Sequence, residues 1–199
     1  MDKQPEFTTP IWDYIAGLVD EDRVDEGRVM LRQHARALHA AESRYGVDAP
    51  TIVAVWGVES DFGKSFGKRP VVQSLATLAC EAPRRNDYWR KEFLAALKIL
   101  DSGDIAPEEF YGSWAGAFGH TQFMPTTFLT KAVDLDGDGR RNIASSAADA
   151  LGSTANYLHK SGWRAGMPWG FEVRLPDGYS GPSGRTHRQS MGFWQSRGV

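Results

Sequence analysis

At 199 residues, with 41% hydrophobic and 24% charged side chains, the chain has the length and balance of one soluble globular domain, or of one domain with a small appendage. A net charge of -2 argues against nucleic acid as the main partner, because phosphate binding needs a concentrated positive field. A single cysteine, Cys80, excludes an internal disulfide.

Met1–Pro10 has neither an apolar signal core nor an Arg-rich amphipathic character, and no segment approaches membrane-spanning length. From about Glu21 to Tyr45, Val24, Val29, Leu31, Leu38, Ala41 and Tyr45 recur among charged residues, a spacing that predicts one long amphipathic helix ending at Gly46. Asp48 then reads as an N-cap and Pro50 as a first-turn residue of a helix through Thr51–Phe62 that crosses the core and stops at Gly63. Val71–Cys80 reads as a buried helix with Cys80 an inert core thiol, and Arg85–Leu100 as an amphipathic helix after a break at Pro83. Pro107 opens a short turn into the small-residue stretch GSWAGAFG, Gly112–Gly119, whose glycines let backbone approach a helix or a ligand closely. Helices follow at Thr126–Val133 and Ala147–Ser161. Beyond Gly162 the texture changes: Phe171–Leu175 alternates like a strand, Pro176–Gly178 is a turn, and Ser180–Arg185 reads as loop. Seven tryptophans are many for this length, and core or subdomain-seam positions account for them more simply than a ligand groove.

Three segments carry chemistry. Glu59 follows the apolar run Ile52–Val58, and a carboxyl set into an apolar helix is either paired or has a raised pKa suited to a general acid. Both readings stand on this stretch alone. Asp61, two residues on, points elsewhere around the helix and is a poor partner for a two-carboxylate mechanism. Ser113 and Gln122, in the segment Ser113–Pro125, could offer hydrogen bonds to a polyhydroxylated ligand, although the same segment would serve equally as a helix-packing motif with His120 a structural histidine. Asp134–Asn142 repeats the D-x-D-x-D-G opening of a calcium loop, with Gly139 at the bend. Its twelfth position is Ser145 rather than a bidentate Glu, so a high-affinity EF-hand is not expected.

RYGV (Arg44–Val47), VAVWGVES (Val53–Ser60) with Phe62 and Gly63, SLATL (Ser74–Leu78), PRR (Pro83–Arg85), GSWAGAFG, QFMP (Gln122–Pro125) and ANYL (Ala155–Leu158) together resemble the bacterial lytic murein transglycosylases of the B type, which are related in fold to goose-type lysozyme. The order and spacing agree from about Tyr14 to Trp163. The resemblance implies an α+β, predominantly helical, lysozyme-like fold: an N-terminal helical segment 1–46, a catalytic core 47–165 with an EF-hand-like loop 134–149, and a partial β element 166–199. Family members generally continue beyond the counterpart of Trp194–Val199, and the continuation helps to close their groove; the expectation is either a piece of a longer chain or a short member with a more open cleft.

The same resemblance implies that Glu59 is the sole catalytic acid and base, cleaving the bond between N-acetylmuramic acid and N-acetylglucosamine and leaving a 1,6-anhydromuramoyl end. Ser113, Gln122 and Tyr157 then fall at substrate-groove positions. Ca²⁺ is the implied cofactor, held by Asp134, Asp136 and Asp138, the Arg140 carbonyl and Asp149, with no organic cofactor. Arg84 and Arg85 could meet carboxylates of the glycan strand's lactyl or peptide groups, although a surface or helix-start salt bridge accounts more simply for at least one of them. The implied setting is the periplasm, the implied partners are peptidoglycan glycan strands with cell-wall synthesis or division proteins as recruiters, and the chain would act as a monomer. A water-using muramidase is the close alternative; a calcium-stabilised peptidoglycan-binding module without catalysis is the alternative of a different class.

Overall fold

The computed structural model describes residues 10–82, 84–168, 170–184 and 187–199, with Ile11 and Trp12 described by their backbone. The readings of Met1–Thr9, of the break at Pro83 and of Arg185 lie outside the described residues. Two units separate, Met1–Ala165 and Gly166–Val199.

The first unit is helical apart from one small sheet. Helices α1 (Ile11–Leu18), α2 (Glu21–Gln33) and α3 (Ala35–Tyr45) open it. The single helix expected from Glu21 to Tyr45 is broken at His34, where the backbone leaves helical values and the ring meets Trp56 edge-on at 5.1 Å. Tertiary packing has overridden a pattern that reads as continuous. Gly46, at φ 68, ends α3 in the left-handed region that a residue with a Cβ resists. Asp48 caps α4 (Ala49–Ser60) by accepting the Thr51 backbone N–H at 3.0 Å, with Pro50 in the first turn.

Helices α5 (Val71–Glu81) and α6 (Asn86–Ser102) pack against each other, and α7 (Pro125–Lys131) packs on α6. Helix α5 buries Val71 and Leu75 but exposes Gln73, Thr77 and Cys80. Cys80 is therefore a surface thiol, not the core thiol expected, because it lies on the outward stripe three residues beyond Thr77. Strands β1 (Arg69–Pro70) and β2 (Tyr111–Gly112) pair antiparallel, Arg69 opposite Gly112; α5 and α6 lie between them in the chain, and a 3₁₀ turn at Pro107–Glu109 leads into β2.

Helix α8 (Ala147–Lys160) is the buried pillar, with every residue from Asp149 to Asn156 inside. On one side Ala150 joins a core of Leu75, Trp89, Ile99, Phe118 and Phe128. On the other, Leu151 and Ala155 join Leu38, Ile52, Val53 and Trp56. Two apolar cores thus meet at one helix.

Gly166–Val199 has no strand among its described residues; the expected strand at Phe171–Leu175 is irregular chain. Alternation alone does not hold a strand without a neighbour to take its backbone hydrogen bonds. Helix α9 (Met191–Gln195), capped by Ser190, is the unit's helical element.

Candidate active site

Helix α4 presents Val55 and Glu59 to an open groove of about 340 Å³. Thr121, Gln122, Phe123 and Met124 form a second wall with Thr127 of α7, and Thr154, Tyr157 and Leu158 of α8 form a third. Glu59 is the only carboxylate among these lining residues.

Glu59 is exposed rather than buried, which corrects the expectation from the apolar run before it. Ile52, Val53, Trp56 and Gly57 of the run are buried, but Val58 is 43% exposed and the face that carries Val55 and Glu59 opens on the groove. No described residue makes an ion pair or side-chain hydrogen bond with Glu59, so the pairing alternative finds no partner among them. The apolar walls still remove water from around the carboxyl and raise its pKa above the ordinary carboxylate value. Asp61 turns away to face Arg23 of α2 at 3.7 Å and does not line the groove.

The next stripe of α4 ties the helix to the loop opposite. Trp56 Nε1 donates to His120 Nδ1 at 2.9 Å, and Ser60 Oγ donates to the His120 carbonyl at 2.7 Å. His120 also meets Phe66 edge-on at 4.6 Å. Burial, with a smaller push from His34, lowers its pKa to about 4, so the ring is neutral and the Nδ1 lone pair is free to accept. His120 is a structural strut. Gly63 makes room for it: at φ 88, a Cβ there would lie 2.3 Å from His120 Cε1. Between Glu59 and Gly63, Asp61 and Phe62 both adopt the left-handed region, at φ 51 and 54.

Gln122 takes an unusual backbone, φ 48, that turns its side chain inward. Its amide nitrogen donates to the carbonyls of Gly119 at 2.9 Å and Phe66 at 3.3 Å, which commits both N–H groups and leaves Oε1 as an acceptor. Tyr157 lies across the groove, 41% exposed, with its ring against Phe123. Ser113 does not line this groove; its hydroxyl accepts the backbone N–H groups of Ala117 at 3.1 Å and Ala115 at 3.3 Å, shaping the turn that leads to Gln122. Arg85, left-handed at the start of α6, has its guanidinium over Tyr88.

Glu92 was not singled out from the sequence, where it reads as a polar position of an amphipathic helix. It is 2% exposed, and its two oxygens accept the Thr126 backbone N–H at 2.9 Å and hydroxyl at 2.6 Å. A buried carboxylate thus caps α7, the helix that contributes Thr127 to the groove.

The acidic loop closes as a cluster. One carboxylate oxygen from each of Asp134, Asp136, Asp138 and Asp149 lies within 4.8 Å of the others. Oxygens ligating one Ca²⁺ at about 2.5 Å are at most about 5 Å apart, so this donor set fits that ion. Asp149, buried at the start of α8, accepts the Leu135 N–H at 2.8 Å and the Asn142 N–H at 2.7 Å, clasping the loop at both ends. Burial raises its pKa to about 6 against the pull of those donors. Asp134 accepts from Gly137 and Gly139, and Ser146 donates to Asp136, so the loop is ordered by its own side chains.

A family model described as "Transglycosylase SLT domain" matches residues 1–199. The chain belongs to the transglycosylase SLT domain family. It is 34% identical over 195 residues to membrane-bound lytic murein transglycosylase B of Escherichia coli (strain K12), covering 92% of this chain and 54% of that protein. SltB3 from Pseudomonas aeruginosa, solved in complex with NAG-NAM-pentapeptide, superimposes with a TM-score of 0.90 at 52% identity, over 96% of this chain and 51% of that one. Slt35 from Escherichia coli, solved in complex with calcium, does so with a TM-score of 0.75 at 37% identity, over 79% of this chain and 50% of that one. The chain thus spans about half the length of these transglycosylase SLT relatives, and it has the mainly helical, lysozyme-like fold of their corresponding half.

Proposed function

We propose that this chain carries the catalytic centre of a peptidoglycan lytic transglycosylase in which Glu59 acts first as acid and then as base. The observation that carries the reading is the lone carboxylate: Glu59 stands in the groove with a raised pKa and no second acid among its described lining residues. A two-carboxylate glycosidase has no counterpart for its second group here. One group that both gives and takes a proton needs none.

Protonated Glu59 donates to the oxygen bridging N-acetylmuramic acid and N-acetylglucosamine as the C1–O bond breaks. The resulting carboxylate removes the proton of the muramoyl C6 hydroxyl, and that oxygen bonds to C1. The proton returns to Glu59, and the product is a 1,6-anhydromuramoyl end with no water consumed. Gln122 Oε1 accepts from a hydroxyl or amide of the reacting sugars, Tyr157 supplies a half-exposed ring and hydroxyl on the facing wall, and Ser113 serves the substrate indirectly, through the turn that presents Gln122. Ca²⁺ held by the four aspartates and the Arg140 carbonyl would fasten the loop to α8 as a structural ion. The segment 1–46 would buttress the core 47–165, residues 166–199 would form a small separate element, and the substrate would be met in the periplasm.

The test is mass spectrometry of soluble products from purified peptidoglycan. Anhydromuropeptides from the parent and none from Glu59→Gln support the reading; water-added reducing ends would instead make the protein a muramidase. Binding without any product from either chain would make it a recognition module.

A further inference from the structure

We propose that the outer groove between α6 and α7 is a docking surface for an extended partner segment whose side chains alternate acidic, apolar, acidic. The groove, of about 360 Å³, is separate from the one that holds Glu59 and shares no lining residue with it. Arg90, Lys91 and Lys98 line it, and among the described residues none of the three makes an ion pair. Its single acid is Asp87, at the N-terminal end of α6. Three cations against one anion contrast with a chain whose net charge is -2.

The spacing names the occupant. Arg90, Leu94 and Lys98 stand four residues apart on one face of α6, so successive side chains are about 6 Å apart along the axis. In an extended chain, every second side chain lies on one face at about 6.7 Å. Acidic, apolar and acidic side chains at alternate positions of such a segment therefore meet Arg90, Leu94 and Lys98 in step. Leu94 is 48% exposed, and Leu129 of α7 faces the same groove, so an apolar side chain entering at the middle position is covered from two sides. A uniform polyanion would leave this apolar centre unused. Lys91 widens the positive edge, and Asp87 repels a further acid beyond Arg90, which fixes the register.

The experiment is a titration of the full ¹⁵N-labelled chain with a synthetic heptapeptide of sequence Ser-Glu-Ser-Leu-Ser-Glu-Ser, capped at both ends. Saturable shifts at Arg90, Leu94, Lys98 and Leu129, weakened several-fold by added salt, are expected. Arg90→Glu with Lys98→Glu should abolish them at an unchanged melting temperature, with Arg90→Gln and Lys98→Gln as the milder pair should the first unfold. Leu94→Ser should weaken them severalfold. No saturable shift at millimolar peptide overturns the proposal, as does equal response to an isomer with the two glutamates adjacent, or to poly-glutamate. The readout needs no cleavage and is independent of Glu59.

Discussion

Trp56 and His120 are joined by a 2.9 Å hydrogen bond in which the indole N–H donates to an imidazole that must stay neutral to receive it. The bond sets the distance between the helix carrying Glu59 and the loop carrying Gln122. It also makes that distance sensitive to acid. His120 titrates near 4 in the folded chain and near 6.5 unfolded, so its contribution to stability is complete above pH 6.5 and is lost as pH falls through that window. The loss amounts to about 3 kcal/mol. Melting temperature measured from pH 7.5 to 4 should fall more steeply for the parent than for His120→Gln; parallel curves would refute the assignment.

Cleavage by the proposed mechanism should weaken as pH rises. In the proposed reaction Glu59 starts protonated, and loss of water in the groove raises its pKa above the ordinary carboxylate value. The rate should decline as pH rises through that raised value, and Val55→Asp, which puts a second charge one turn away, should push the decline to higher pH. Glu59→Gln should lower the rate by a factor of about 10² to 10⁴ while leaving the melt within about a degree. Initial rates across pH for the three chains check both.

How much of this could be read from residues alone follows the range of the forces involved. The Asp48 cap and the Gly46 stop are local hydrogen-bond and backbone effects and appear at their expected positions. The aspartate loop is nearly as local, since its first three acids fall within five residues. Glu59 was placed on the right helix but on the wrong side of the solvent boundary: a run of apolar residues shows that a helix crosses a core, not which residue of its last turn faces out. The deeply buried glutamate is Glu92, and nothing near it in sequence marks this, because its partner Thr126 is 34 residues away. Trp56 and His120, 64 residues apart, were equally invisible. Phe171–Leu175 fails in the opposite direction, having the alternation of a strand but no neighbouring strand among the described residues of its unit.

Removing the Glu92 carboxylate should damage the groove through α7. Glu92→Ala removes the acceptor of the half-buried Thr126 N–H and hydroxyl and leaves a void where the buried carboxylate stood, at a cost of about 1 to 3 kcal/mol. Glu92→Gln retains one acceptor and should recover roughly half. Denaturant unfolding gives the stability, and a parallel cleavage assay should show Glu92→Ala slowed more than its folded fraction explains.

The aspartates of the loop should divide into two classes. Asp136→Ala and Asp138→Ala together should abolish any rise in melting temperature on adding Ca²⁺, while leaving the chelated protein near the parent value. Asp149→Ala should lower the melt even with chelator present, by the equivalent of about 3 kcal/mol, because Leu135 and Asn142 lose their acceptor. Thermal scans with chelator and with Ca²⁺ separate the classes; a parent melt indifferent to both would remove calcium from the account.

Gly63→Ala should cost more than Gly103→Ala. Both positions have positive φ, but only at Gly63 does a new methyl collide with the imidazole of His120. About 1 kcal/mol is expected at Gly103 and at least twice that at Gly63, read from urea midpoints.

Helix α8 holds Asp149 in its first turn and Tyr157 two turns further on, with everything between them packed. At 1.5 Å per residue the two lie about 12 Å apart along the axis. A stiff rod of such a length acts as a push-rod: an axial displacement at the aspartate end arrives at the tyrosine end undiminished. The acidic loop and the groove wall that carries Tyr157 are therefore mechanically coupled, and a substitution that loosens the loop should also displace Tyr157.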